Sequence, residues 1–435
     1  MIFRRYRTII IFFIIVSLTG ALFKTLPSLK NPPPMNGAPQ GPGANYPLPS
    51  ADRVLINLNG PWQIYGNLGS VVKNQVYGVE QAVYGGQVNP GPGVNVPGSW
   101  DDSVAVGSFY LNNDVSGRNF RLHVLGIGGK AQVYLNGFNR ACYVGDLGDT
   151  NTPQVIDIPS PRLKFGQVNT ITFKLDKPAP NGPWLVWPGV TGEVYLEAVG
   201  PIMLTEPRVS VKLSGSNAEL EYDIGLNTKD TGELNGQISL FDGAGNLAAT
   251  NTHVLKADKN SLRLSGKLSV PNPRLWSGTD PYLYHLEVVV SGTRGARDSY
   301  VLPIGLREIQ FADGGVILNK QRLEPKFLIR VAEPPGAERY RRMDADIKWA
   351  KAKGYNILYL PDGPPHPYLL DLADKYGLLV MGQAQFTGSM SQNTRPHQAG
   401  DILRSLGYHP SMLAQGLGAG LDSLNSRANE YIRKE

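Results

Sequence analysis

Glu333 and Asp362 are two acidic residues that could act together as acid and base, because each lies just after the end of a predicted strand. Glu333 follows the predicted strand 327–331, and Asp362 follows the predicted strand 356–360. Two carboxylates about 5 Å apart can cleave a glycosidic bond with retention of configuration, and a separation of about 6.5–9.5 Å allows inversion. The alternative, which we favour, is that both side chains cap helices or bind loop backbone, as acidic residues commonly do.

The elements that must position these side chains begin after Gly315, where strand-like and helix-like segments alternate. The pattern predicts strands at 327–331, 356–360, 378–381 and 412–417, and helices at 340–353, 367–376, 401–406 and 423–434. Consecutive β/α units predict a parallel sheet with its functional groups at the carboxyl ends of the strands. A closed barrel takes eight units and about 250 residues. We therefore expect an incomplete, four-unit TIM-type β/α barrel over 311–435.

An incomplete barrel leaves edge strands unpaired and an apolar inner face uncovered, so something must cover it. We expect either another protein chain or the preceding domains of the same chain to do so. Those domains have strand-like alternation and Asn-Gly turn signals, which predict a jelly-roll β-sandwich over 51–200 and an immunoglobulin-like sandwich over 201–310. The predicted fold class is multidomain β plus α/β.

The N-terminus has the composition of an export segment. Arg4, Arg5 and Arg7 precede an uncharged run of 16 residues from Thr8 to Phe23, which predicts a membrane anchor over 1–26 with the body on the extracytoplasmic side. The run is shorter than the ~20 residues of a comfortable span, so secretion after cleavage of a signal peptide stays open. Residues 27–50 contain eight prolines and are expected to form an extended linker.

Several short motifs follow one another in the order found in one family. They read LNGPW at 58–62, VPGSW at 96–100, VYLNG at 133–137, GEVYL at 192–196, PRLW at 273–276, IGLREI at 304–309 and HPSMLAQGLGAG at 409–420. Together they resemble glycoside hydrolase family 2, the family of β-galactosidases and β-glucuronidases. The resemblance covers about 54–420 and implies two β-sandwiches followed by a barrel.

The resemblance also implies where catalysis would occur and what is missing. The family's proton-donating Glu corresponds to Gly420, and the Asn before it corresponds to Ala419. Gly has no side chain to carry a proton, and the sequence ends at Glu435 before the family's second carboxylate. Glu333 matches a family Glu only in part, because Ala332 replaces the preceding His. We therefore expect no catalytic residues, with Glu333 and Asp362 as a weak fallback pair.

Aromatic side chains are the remaining candidates for ligand contact. Trp100, Trp184 and Trp187 lie in Pro- and Gly-rich loops and could stack on sugars, although core or interface packing is the interpretation we favour. His366 is a candidate ligand contact, with a surface turn as the alternative. The single cysteine and the scattered histidines give no metal-binding spacing, and we expect no metal and no cofactor.

These observations lead to three hypotheses of function. The first is a catalytically inactive, membrane-anchored protein that binds a polysaccharide or other glycan, or acts as a scaffold subunit, in an extracytoplasmic glycan or exopolysaccharide assembly. The second is an active glycosidase with relocated carboxylates or a partner chain, and the third is a purely structural subunit. The net charge of +6 comes from mixed, scattered charges, which excludes nucleic acid as the expected partner.

Overall fold

The computed structural model of the protein describes residues 50–65, 93–100, 103–148, 153–176, 187–229, 232–257, 261–292, 295–312, 315–331, 334–336, 338–361, 365–384 and 407–417. The predicted anchor 1–26, nearly all of the linker 27–50 and the predicted helices 401–406 and 423–434 lie outside these ranges. Within the ranges, no helix is both long enough and apolar enough to cross a bilayer. The fold is mostly β-sheet, as predicted.

The described residues of the first unit form ten strands in two antiparallel sheets on one hydrophobic core. The strands are β1 (Val54–Asn57), β2 (Gly60–Tyr65), β3 (Gly93–Val96), β4 (Ser103–Leu111), β5 (Asn119–Val124), β6 (Ala131–Leu135), β7 (Tyr143–Leu147), β8 (Gln154–Ile158), β9 (Gln167–Leu175) and β10 (Val194–Val199). Their orders are β1-β10-β5-β8 and β3-β2-β4-β9-β6-β7. The rings of Trp62 and Phe173 meet edge to face in this core at 5.2 Å, an arrangement that favours aromatic packing.

The second unit also has two antiparallel sheets around a separate core. Its strands are β11 (Ile202–Ser214), β12 (Asn217–Thr228), β13 (Glu233–Phe241), β14 (Leu247–Lys256), β15 (Ser261–Pro271), β16 (Tyr284–Ser291) and β17 (Arg297–Ile304). The sheets have the orders β11-β12-β15 and β14-β13-β16-β17. Buried and accessible residues alternate along β12, because one face of a two-sheet unit meets the core and the other meets solvent.

The third unit begins with a small antiparallel sheet of β18 (Ile309–Ala312), β19 (Gly315–Leu318) and β20 (Gln321–Leu323). Parallel β/α structure follows, with β21 (Phe327–Ile329), α1 (Glu338–Ala352), β22 (Ile357–Leu360), α2 (Pro367–Tyr376), β23 (Leu379–Ala384) and β24 (Met412–Leu417). The four strands pair in parallel in the order β21-β22-β23-β24. The predicted parallel sheet is thus present, whereas an incomplete barrel remains a prediction.

Local sequence signals define α2. His366 is the residue before the helix and its Nδ1 accepts the backbone N–H of Tyr368, while Pro367 occupies the first helical position. Gly377 ends the helix with φ of 70°, a left-handed conformation that Gly adopts without strain. These signals fix where α2 starts, and therefore where His366 lies at the carboxyl edge of the parallel sheet.

Buried polar contacts join the units. Arg53 connects the first two, since its guanidinium binds Glu197 at 2.9 Å and Asp298 at 2.6 Å. Trp276, which follows β15, donates its indole N–H to the backbone oxygen of Asp374 on α2 at 2.8 Å. The second unit thereby holds the parallel sheet in position.

The edge strand β21 exposes apolar side chains on the face away from the helices. Leu328 packs against the helices, so its neighbours Phe327 and Ile329 point to the opposite face, where they are 50% and 64% exposed. Val331, just beyond the strand, is 59% exposed. Next to them, Ile357 is covered by a cluster that includes Trp276. Among the described residues of this face, the most exposed apolar side chains therefore lie on β21 and just beyond it.

Candidate functional site

The candidate site lies at the carboxyl edge of the parallel sheet, where the first unit contacts the N-termini of both helices. Glu193, which directly precedes β10, accepts hydrogen bonds there from Arg339 on α1 at 2.7 Å and from His366 at 2.8 Å. Arg339 also donates to the backbone oxygen of Thr191 at 2.7 Å. We call Glu193, Arg339 and His366 the edge cluster.

The hydrogen bonds of His366 define its proton. Nδ1 accepts the N–H of Tyr368 at 3.2 Å, so this nitrogen carries no hydrogen. Nε2 therefore carries it and donates to Glu193. The approach of Arg339 to Nε2 at 3.3 Å is then a close contact between two donors. Burial lowers the pKa of His366, and the neighbouring guanidinium of Arg339 lowers it further, so the imidazole is neutral at pH 7.

Glu193 is ionised under the same conditions. Burial alone would raise its pKa, but the electrostatic attraction of His366 and Arg339 and the hydrogen bond from His366 outweigh burial and lower the pKa to about 2. Its side chain is 2% exposed. A general acid for glycoside cleavage needs a carboxyl whose pKa is raised toward neutrality. Glu193 therefore stabilises the contact between the units and is unsuited to donate a proton.

Aromatic rings lie next to the edge cluster. Tyr340, half-buried on α1, meets His366 edge to face at 5.9 Å and Tyr368 at 5.2 Å. Arg339 lies 5.7 Å from the centre of the Tyr340 ring. Aromatic and charged groups at the end of a parallel sheet are typical of a ligand-binding surface.

Several predicted site residues lie outside the described part of the chain. These are Glu333, Asp362, Trp184, Ala419 and Gly420, so their assigned roles remain predictions. His366 is described, and it lies at a helix N-terminus with its side chain 11% exposed. The surface turn that we considered for His366 is therefore wrong, because the imidazole is buried against Glu193.

Two of the three candidate tryptophans, Trp100 and Trp187, are described, and both lie in tightly packed loops. Trp100 is 8% exposed and belongs to the core of the first unit, as the packing interpretation predicted, and its backbone N–H binds Pro188. A Cβ on Gly98 would lie 2.1 Å from a backbone oxygen, so only Gly fits there. Trp187 is half-buried, and neither indole N–H has a hydrogen-bond partner in the ranges given above.

The His-Pro-Ser motif before β24 has a structural role. His409 binds Asp374 through Nδ1 at 2.6 Å, and the backbone N–H of Ser411 donates to the other oxygen of Asp374 at 2.9 Å. Arg307 donates to the backbone oxygens of Pro410 and Met412. The motif thus attaches β24 to α2 and to the second unit.

Asp371, Asp374 and His409 bring possible metal ligands within 4.8 Å of one another. Both oxygens of Asp374 and one nitrogen of His409 are already used in the contacts above. Too few ligand atoms remain among the described residues around this group for a tetrahedral or octahedral ion.

Sequence reasoning missed the edge cluster because its members are far apart in the chain. Glu193 is separated from Arg339 by 146 residues and from His366 by 173. One signal was available, since Glu193 lies in a mostly apolar run, 189–199, that is buried throughout and contains one other charged residue, Glu197. A charge in such a run needs a partner.

Comparison with known proteins agrees with the fold. Residues 202–307 match the profile of "Glycosyl hydrolases family 2". A "Putative beta-glucuronidase" of Formosa agariphila is 26% identical over 345 residues, which are 75% of this chain and 40% of that protein. A "Beta-glucuronidase" of Bacteroides fragilis is 22% identical over 425 residues, covering 88% and 59%. The chain therefore spans about half the length of these curated relatives.

Solved structures give the same result. A β-glucuronidase from Ruminococcus gnavus in complex with D-glucuronic acid superposes with a TM-score of 0.73 at 19% identity, covering 89% of this chain and 71% of that one. A family 2 member from Bacteroides cellulosilyticus superposes with a TM-score of 0.74 at 19% identity, covering 87% and 54%. At this identity the likeness concerns the fold alone.

Proposed function

Because residues 202–307 carry a glycosyl hydrolase family 2 domain, we propose that the protein recognises carbohydrate without hydrolysing it. The similarity to β-glucuronidases and a β-galactosidase supports recognition of a glycan. The site would be the carboxyl edge of the parallel sheet, where the half-buried Tyr340 provides a ring surface beside the edge cluster. Polar and aromatic groups of this kind orient small ligands in concave sites.

One observation carries the proposed loss of catalysis: Gly420 stands where the resemblance places the proton donor. The buried acid at the same edge, Glu193, does not replace it, because Arg339 and His366 hold it ionised. Without a proton donor, the departing glycosidic oxygen would leave as an alkoxide, and hydrolysis by the usual two-carboxylate route stops.

We further propose that the protein works at a membrane, in an extracytoplasmic assembly that handles an exopolysaccharide. The arginines before the apolar run at 8–23 support a segment that keeps its N-terminus in the cytoplasm. The proline-rich segment that follows would hold the folded body away from the bilayer.

The partner we propose is another protein chain that contributes parallel β/α strands next to β21. Phe327, Ile329 and Val331 support this proposal because they are large, apolar and more than half exposed, or half exposed in the case of Phe327. An exposed edge strand with apolar side chains is a site where another strand can pair. The side chains of the partner that face β21 would need to be apolar to pack against these three residues.

The main alternative is an active glycosidase. The names of the relatives favour it, and Glu333 or Asp362 would then supply the carboxylates, alone or with groups from a partner chain. A third possibility is a structural subunit without affinity for sugar, which would co-purify with a membrane partner and bind no glycan.

The test compares turnover with binding on the full chain in detergent micelles. We expect no release of 4-nitrophenol from 4-nitrophenyl β-D-glucuronide or β-D-galactoside, together with measurable retention on an immobilised glycan. Release that disappears in Glu333→Gln or Asp362→Asn, and persists in the exposed control Glu324→Gln, would establish the hydrolase instead. Neither turnover nor retention would favour the structural subunit.

A further inference from the structure

A groove of about 640 Å³ lies between the first two units, far from the edge cluster. It is formed where β5 begins, where β8 and β10 end, and where β11 begins. Glu193 precedes β10 and Val199 ends it, so six residues at about 3.3 Å each separate the two places by about 20 Å. The groove has the volume of a small-molecule site.

Arg121 is the key residue of the groove. Its side chain is 17% exposed, and its one hydrogen bond to a described residue goes to the sulfur of Met203 at 3.3 Å, a weak acceptor. Its nearest carboxylate oxygens are on Glu197 at 3.7 Å and Asp157 at 4.0 Å, beyond hydrogen-bond length.

The neighbouring carboxylate does not satisfy Arg121, because it has closer partners. Glu197 accepts from Arg53 at 2.9 Å through one oxygen and binds His123 at 2.8 Å through the other, and both contacts are shorter than the one to Arg121. Arg121 therefore keeps guanidinium donors without an acceptor among the residues that the structure describes. Arg121 lines the groove, so an acceptor on a ligand could take the place of solvent at these donors.

The other groups of the groove suit one kind of ligand. Lys229 lies at its rim, held by Asn119 at 2.7 Å, and has further N–H donors available. Asn227 is exposed there, and no described residue hydrogen-bonds its side chain. Apolar atoms of Phe120 and Ile158 complete the lining. The groove thus combines two cations, an amide and an apolar surface.

We propose that this groove binds a carboxylate-bearing saccharide, such as a uronic acid unit of an acidic polysaccharide. A planar guanidinium matches a carboxylate with two parallel hydrogen bonds. The ammonium of Lys229 and the amide of Asn227 would contact the remaining oxygens, and the C–H face of the sugar ring would pack on the apolar lining. This site is separate from the edge cluster and does not depend on whether the protein hydrolyses glycosides.

Removing the charge of Asp157 should change the affinity for an acidic ligand in the opposite direction to removing the charge of Lys229. It lies beside Arg121 at the rim, and its side chain is 92% exposed. An acidic ligand is repelled by this carboxylate, so Asp157→Asn should tighten binding, whereas Lys229→Ala should weaken it. Each substitution alters a surface group, and a folding defect is not expected.

The experiment is isothermal titration calorimetry of the full chain in micelles with tetragalacturonate. We expect its methyl ester, which lacks the negative charges, to bind at least about tenfold more weakly. Lys229→Ala should weaken binding of the acid about two- to fivefold and Asp157→Asn should tighten it about twofold. Arg121→Gln should weaken it about tenfold or more. The exposed controls Lys256→Ala and Glu324→Gln should leave the affinity unchanged.

Equal binding of acid and ester, or no binding of the acid, would overturn the proposal. It would also fail if Lys229→Ala and Asp157→Asn both left the affinity unchanged, which decides the matter even if Arg121→Gln does not fold. Tighter binding of a sulfated tetrasaccharide from carrageenan would reject the carboxylate as the recognised group. A positive glycosidase assay would refute the proposed loss of catalysis and leave this groove unaffected.

Discussion

Replacing Glu193 with Gln should weaken the contact between the first unit and the parallel sheet. The amide keeps the shape of the side chain but loses the charge that Arg339 needs, and both side chains are largely buried, at 2% and 10% exposure. Removing one partner of a buried ion pair leaves the other charge uncompensated, which costs about 3–5 kcal/mol.

The pH dependence tests the same contact. Folding lowers the pKa of Glu193 below its ordinary value of 4.5, because His366 and Arg339 favour the ionised carboxyl more strongly than burial opposes it. Because the folded pKa is the lower one, this stabilisation is present above about pH 4.5 and is lost as the pH falls toward 2. The lowered pKa of His366 acts in the same direction, since its stabilisation declines below the unfolded value of 6.5.

The assay is urea unfolding followed by tryptophan fluorescence at pH 7 and at pH 4. Glu193→Gln should lower the midpoint at pH 7, and it should lose less stability than wild type on further acidification, because the titrating carboxyl is gone. The surface carboxylate Glu219, whose side chain is 41% exposed and paired with Lys267, is the matched control, and Glu219→Gln should change stability by less than about 0.5 kcal/mol. A Glu193→Gln midpoint equal to that of wild type would refute the reasoning.

Three further predictions concern other contacts. Asp374→Asn should remove the stabilisation of protonated His409, because Asp374 raises the pKa of His409 despite its burial. In the wild type, this stabilisation is present below pH 6.5 and declines as the pH rises through the raised pKa. A variant with the wild-type pH profile of thermal unfolding would contradict this prediction. Trp276→Phe should cost about 1–3 kcal/mol through the lost hydrogen bond to Asp374, measured as a lower urea midpoint. If the proposed partner chain pairs with β21, Ile329→Asp should reduce that association in cross-linking and light-scattering measurements, whereas Val254→Asp, at a similarly exposed position of 66%, should not.

Much of the architecture could be predicted from the sequence because local signals set it. The strand predicted at 412–417 and the helix predicted at 367–376 have those bounds in the structure. The period-two alternation of the strands and the Pro and Gly residues at the two ends of α2 are local properties of the sequence. They can be recognised without knowing which segments pack together. The resemblance to family 2 is likewise confirmed for residues 202–307.

The candidate site was much less predictable. The ionised state of Glu193 depends on Arg339 and His366, which only the folded chain brings to it. Arg121 likewise looks like an ordinary strand residue until Glu197 is seen to be occupied by closer donors. Such assignments need three-dimensional distances, because a pKa or an unsatisfied donor is a property of the surroundings and not of the residue type.

The strand β10 connects the two proposed binding places through a continuous, hydrogen-bonded segment. A polysaccharide could bind the groove through its carboxylates and, about 20 Å away, the sheet edge through its sugar rings. Such a polymer would dissociate only when both contacts are broken at the same time. Its residence time would therefore be longer than that of a fragment that reaches one site, even if each site binds weakly. Short fragments, which reach only one site, would dissociate rapidly. The distance that β10 sets between the two sites would therefore favour the binding of longer chains.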